Sequence, residues 1–133
     1  MRKILLAIGL IFGLAFAASA QNAEVEATID SQIEAFLADD FNRAFTFASP
    51  NIQQIFRTPE NFGLMVRQGY PMVWRPAEVR YLELREINGA LWQKVQITDA
   101  EGRIHLLDYQ MIELETGWKI NGVQLLRQPE VNA

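Results

Sequence analysis

The sequence predicts an α+β domain in which N-terminal helices pack on a curved four-stranded antiparallel meander, and three observations carry the prediction. Apolar residues recur at helical spacing from Val25 to Val66, long strand-like runs fill the chain from Val79 to Leu126, and every junction between those runs holds a glycine turn signal. Helices first and a meander afterwards give two layers with one sheet face covered.

The first helix of the domain is written by Val25, Ile29, Ile33, Phe36 and Leu37, with Asp30, Gln32 and Glu34 between them. Asp39 or Asp40 caps a second, short helix carrying Phe41, Ala44, Phe45 and Ala48, which Ser49-Pro50 ends. Ile52, Ile55 and Phe56 form a further turn. Thr58-Pro59-Glu60 then starts another helix with Thr58 as N-cap and Pro59 at the first helical position. Phe62, Met65 and Val66 follow, and Gly69 closes it. The segment Tyr70 to Pro76 is expected to be irregular.

Four strands follow, over 79–87, 90–98, 103–114 and 118–126. Asn88-Gly89 is the preferred two-residue hairpin loop, while Asp99 to Gly102 and Glu115 to Gly117 are longer connections. Asn121-Gly122 marks a bulge or bend inside the last strand.

Composition narrows the chemistry. The chain of 133 residues has no cysteine and one histidine, His105, with 12 cationic side chains against 16 carboxylates. No thiolate zinc site, disulfide framework or multi-histidine metal centre follows from such a set, and no metal or cofactor is expected. An acidic chain also lacks the basic surface that nucleic-acid phosphates require. No phosphate loop, dinucleotide fingerprint or nucleophile elbow is present. Met1-Arg2-Lys3, the apolar run Ile4 to Ala17 and the small residues Ala18-Ser19-Ala20 read as a signal peptide cut after residue 20. The expectation is therefore a single periplasmic or secreted domain over 21–133, off the membrane once cleaved. A retained anchor is the alternative, although the run falls short of the roughly 20 residues a spanning helix needs.

Strand register decides which side chains face the helices. Pairing Ile87 with Ala90 across Asn88-Gly89 puts Leu82 opposite Val95, Glu83 opposite Lys94 and Arg85 opposite Trp92, with Leu82, Leu84, Leu91, Val95 and Ile97 on the core side. Leu114 opposite Trp118 makes Ile112 face Ile120, so the even-numbered face of the third strand is the inner one. The expected core joins Ile33, Phe36, Phe45, Phe62, Leu82, Val95, Ile112 and Ile120. Two registers fit the Asp99 to Gly102 turn. In one, Gln93 lies opposite Asp108, and Asp108, Gln93 and Gln110 converge inside. In the other, a three-residue loop with left-handed Gly102 slips the pairing by one and sets Asp108 beside Lys94 on the outside.

The stretch Asp39 to Ile52, the later Gly69-Tyr70-Pro71 and Arg75-Pro76, and the ending Gly117-Trp118-Lys119-Ile120-Asn121-Gly122-Val123 resemble an exported bacterial family, domain-of-unknown-function family 4864, over nearly the whole mature chain. More distantly, the order of helices and long strands closed by Gly-Trp-Lys-Ile looks like the cone of nuclear-transport-factor-2-like proteins. That resemblance implies a cone but no activity, because its members include both enzymes and binding modules.

Three functional readings follow. The first is a non-catalytic module that takes a small apolar ligand or a protein partner through its cone or outer sheet face, with Gln93, Asp108, Gln110 and Trp118 as pocket candidates. The second is an isomerase- or dehydratase-like enzyme with Asp108 as general base, its pKa raised by an apolar wall, and Tyr109 or Tyr81 as donor. The third is a homodimer joined through Trp92, Leu107, Tyr109 and Met111, which in the inward-Asp108 register form an apolar outer face needing cover.

Overall fold

A computed structural model describes the backbone of residues 2–127 and the side chains of residues 18–127. The side chains of the Ile4 to Ala17 run therefore lie outside the described residues. Among the described residues nine elements follow one another: α1 (Arg2–Leu37), α2 (Phe41–Thr46), α3 (Pro50–Phe56), α4 (Pro59–Gly69), α5 (Pro71–Trp74), β1 (Glu78–Ile87), β2 (Ala90–Thr98), β3 (Ile104–Leu114) and β4 (Gly117–Leu126). The helix boundaries come from local chemistry. Asp40, Ser49 and Thr58 accept from the amides of Arg43, Ile52 and Asn61 to cap α2, α3 and α4, and Pro50 and Pro59 occupy first-turn positions whose N–H would otherwise be unpaired. The Tyr70 to Pro76 stretch, expected to be irregular, contains one helical turn, α5, opened by Pro71.

Asp39 takes a positive φ of 55° at the end of α1. Its carboxylate receives two hydrogen bonds from Arg75, at 2.9 and 3.0 Å, and one from the Trp74 indole at 2.9 Å. Arg75 also donates to the Phe36 carbonyl, one of the acceptors that a helix end leaves unpaired. The Asp39-Asp40 pair is thus the helix junction and cap that the sequence predicts.

The sheet is a meander in the order β1-β2-β3-β4. Asn88 and Gly89 both have positive φ, 52° and 81°, as a type I′ hairpin demands. Two bulges shape the sheet. In β1, Tyr81 pairs with Val95 and Leu84 with Gln93, so Leu82 and Glu83 together oppose Lys94. In β4, Asn121 is the extra residue between Ile120, opposite Met111, and Gly122, opposite Gln110, as Asn121-Gly122 foretold. The α2–α3 connection covers the β4 edge there: Ile120 donates to the Phe47 carbonyl and Ser49 to the Ile120 carbonyl.

The register around β3 is the slipped one. Asp99 pairs with Arg103, Gly102 has a φ of 84°, and Lys94 sits opposite Asp108 while Gln93 sits opposite Tyr109. At the next turn Leu114 pairs with Gly117, not Trp118, so Ile112 opposes Lys119. Each loop is one residue shorter than the inward-Asp108 reading requires, and a one-residue slip turns every side chain over. Leu107, Tyr109 and Met111 therefore face the helices and are buried, while Leu82 and Ile112 are not part of the buried core.

Val25, Ile29, Ile33 and Phe36 of α1 meet Val95, Ile97, Leu107, Tyr109, Met111 and Ile120 in that core. At one end Phe62 stands among Phe36, Phe45 and Phe56, with ring centroids 5.3–5.9 Å from its own. Phe45, expected as core, is partly buried against this cluster. Gly63 is needed for close approach: a Cβ there would stand 2.6 Å from the Phe41 ring.

Candidate functional site

The helices and the sheet do not close on each other everywhere. A cavity of about 280 Å³ lies between α3 and α4 on one side and β3 and β4 on the other. Phe36, Phe62, Val66 and Ile120 line its buried part, and Ile55, 61% exposed, lies on its solvent side. α3 contributes Ile52, Ile55 and Phe56 to the lining, where Ile52 and Phe56 are half-buried and Ile55 is exposed, whereas α4 inserts Phe62 and Val66 into the core. All its lining side chains are uncharged.

Three polar side chains reach this lining. The Gln32 amide donates to the Ala44 carbonyl at 3.1 Å, and the Tyr70 hydroxyl donates to the Val123 carbonyl at 3.2 Å. Tyr109 is different. It is fully buried, and its hydroxyl finds no hydrogen-bond partner among the described residues. Burial, and secondarily the neighbouring Tyr70 phenol, push its pKa well above that of a free tyrosine, so it is a protonated donor throughout the physiological range.

The pocket candidates selected from sequence, Gln93, Asp108, Gln110 and Trp118, do not line this cavity. Gln93 is buried on the helix side, but its amide donates to the carbonyls of Leu82 and Lys94 at 3.0 and 2.8 Å and so satisfies the backbone at the β1 bulge. Asp108 lies on the opposite sheet face, held by Arg85 through two bonds of 2.7 and 2.8 Å. This bidentate pair holds the Arg85 pKa above its ordinary value, while Arg85 keeps the register position opposite Trp92 that the sequence predicts. Gln110 accepts from the Asn121 amide, whose oxygen receives the Ser49 hydroxyl. Trp118 lies against α1 and donates to Glu24 at 3.0 Å. The expected convergence of Asp108 with Gln93 and Gln110 is overturned by the register, and with it the apolar wall meant to make Asp108 a base.

The interface candidates are corrected by the same slip. Leu107, Tyr109 and Met111 are at most 2% exposed beneath the chain's own helices. Trp92 alone of the four remains on the outer face, near the Glu83–Lys94 ion pair of 3.3 Å. The area argument for a sheet-to-sheet homodimer lapses. Tyr81, the other proposed donor, gives its hydroxyl to Asp30 at 2.6 Å. His105 bonds Asp99 at 2.8 Å beside the β2–β3 turn.

The family model described as a domain of unknown function, DUF4864, matches residues 18–133. The chain belongs to that family. No curated protein and no solved structure matches it. Membership supplies no catalytic residue, so a functional reading rests on the cavity. Tyr109 was named in the sequence as an interface or donor residue. The signal that could have placed it here is that Leu107, Tyr109 and Met111 form an uninterrupted apolar face, whereas Asp108 and Gln110 interrupt the even one.

Proposed function

We propose that this DUF4864 chain is a non-catalytic module that binds a small apolar ligand in its cone. The observation carrying this reading is the apolar cavity of about 280 Å³ between helices and sheet, which side chains leave unfilled. Natural ligand pockets begin near this volume and share its apolar lining. An acid–base enzyme is the weaker reading, because Asp108 is bonded to Arg85 on the far side of the sheet. The leader-like residues 1–20 support a location outside the cytoplasm, reached with cleavage between Ala20 and Gln21. Mass spectrometry of the exported chain checks that assignment, which fails if the chain still begins at Met1.

NMR titration with naphthalene tests the pocket. Saturable shifts are expected at Val66, Ile120 and Val123, and Val66→Phe, which fills the cavity, should remove them while the protein stays folded. No saturable shifts, or shifts confined to the outer face around Trp92, would sink the proposal.

A further inference from the structure

The cavity has a direction. Its solvent side is hydrocarbon, with Ile55 exposed, while Tyr109 in its buried wall is wholly out of contact with water. A buried hydroxyl without a partner is expensive, so such groups are ordinarily paired by protein, water or ligand. The nearby Tyr70 hydroxyl already has a partner in the Val123 carbonyl, as does the Gln32 amide in the Ala44 carbonyl. Tyr109, which lines the same apolar cavity, is the one of the three whose hydroxyl has no partner among the described residues.

Charge and size narrow what could pair with it. With no cationic side chain in the lining, a carboxylate or phosphate would enter without a counter-charge, at a desolvation cost that an apolar wall does not return. A benzene-sized cavity of about 150 Å³ implies roughly 25 Å³ per non-hydrogen atom, so the observed volume suits a ligand of roughly 11 such atoms.

Resting on the binding function proposed above, we infer that the ligand is a neutral, mainly hydrocarbon molecule with one acceptor oxygen, such as a ketone or aldehyde. It enters oxygen first and accepts a hydrogen bond from the Tyr109 hydroxyl. The high pKa of Tyr109 suits this role, since the group stays a donor. The hydrocarbon end is left toward Ile55.

Three probes of equal size test the inference: benzylacetone, its hydrocarbon analogue isopentylbenzene and its carboxylate analogue hydrocinnamate, each titrated at neutral pH into wild type and Tyr109→Phe. Benzylacetone should bind best to wild type and lose about five- to tenfold in affinity in the variant, the worth of one net hydrogen bond. Isopentylbenzene should be insensitive to the substitution, and hydrocinnamate should bind weakest. In wild type, infrared spectroscopy should show the bound ketone's carbonyl stretch lowered from its position in hydrocarbon solvent, a readout independent of the variant's folding. Isopentylbenzene binding as tightly as benzylacetone, an unshifted carbonyl stretch or preferred binding of hydrocinnamate would overturn the inference. If naphthalene still binds in those cases, the pocket stands and only the ligand class is wrong. If naphthalene also fails, both fall.

Discussion

The two faces of β3 treat polar groups in opposite ways. On the outer face Asp108 is held at both oxygens by Arg85, and Gln110 accepts from Asn121. On the inner face, among Leu107 and Met111, Tyr109 carries a hydroxyl that nothing in the described chain bonds. By residue type the carboxylate is the obvious chemical group and the tyrosine the packing residue. Partnering reverses that ranking: a polar group already bonded by the protein does structural work, while the unbonded hydroxyl of a cavity-lining residue is the group on which the proposed ligand contact rests.

Removing the inner layer should give the largest effect. Phe62→Ala deletes the centre of the aromatic cluster and is expected to lower stability by about 3–5 kcal/mol in urea denaturation. An unchanged midpoint would show that the α4 ring does not pack as described. Next comes the outer pair. Arg85→Met leaves the buried Asp108 side chain, 8% exposed, without its partner and should cost about 2–3 kcal/mol, with naphthalene binding untouched. Loss of binding in that variant would erase the distinction between the two faces.

Tyr109→Phe should have the opposite sign. It removes an unpaired buried hydroxyl and should raise stability by about 1 kcal/mol in the absence of ligand. A loss of similar size would mean that the hydroxyl has a partner in solution.

The smallest effect concerns pH. Hydrogen bonds from Trp74 and Arg75 lower the Asp39 pKa, and His105, with the Arg103 and Glu101 amides, lowers that of Asp99. Depressed carboxylates contribute stability that is complete above the unfolded value near 3.8 and fades as pH falls through the lower folded values. A melting temperature followed below about pH 4 should therefore fall less in Asp99→Asn than in wild type. Parallel curves would show that Asp99 is not linked to folding.

Most element boundaries were legible because their causes are local. Caps at Asp40 and Thr58 and the Asn88-Gly89 turn act over three or four residues, and the strands end within a residue or two of their sequence positions, whereas Ser49, read only as the end of the second helix, is the cap of α3. The face of β3 was legible only as two alternatives. It depends on whether the flanking loops pair Asp99 with Arg103 and Leu114 with Gly117, and a single residue there exchanges Asp108 for Tyr109. The β1 bulge adds a second ambiguity, since Leu82 and Glu83 share one partner. The cavity was not legible at all, because its lining is gathered from α1, α3, α4, β3 and β4, whose mutual packing no local pattern encodes.

The bulge in β1 also bears on how this molecule behaves in company. An open meander has two ends, and the β4 end is covered by the Ala48 bridge. The β1 end carries Glu78, Arg80, Glu83, Arg85 and Glu86 and is kinked at Leu82 and Glu83. An incoming strand needs a straight row of amides and carbonyls with tolerant side chains beside it, and this rim offers a break in the row and alternating charge. The domain is thereby protected against runaway strand addition at the sheet edge its own helices leave uncovered, a hazard for any open sheet that assembles among unfolded chains.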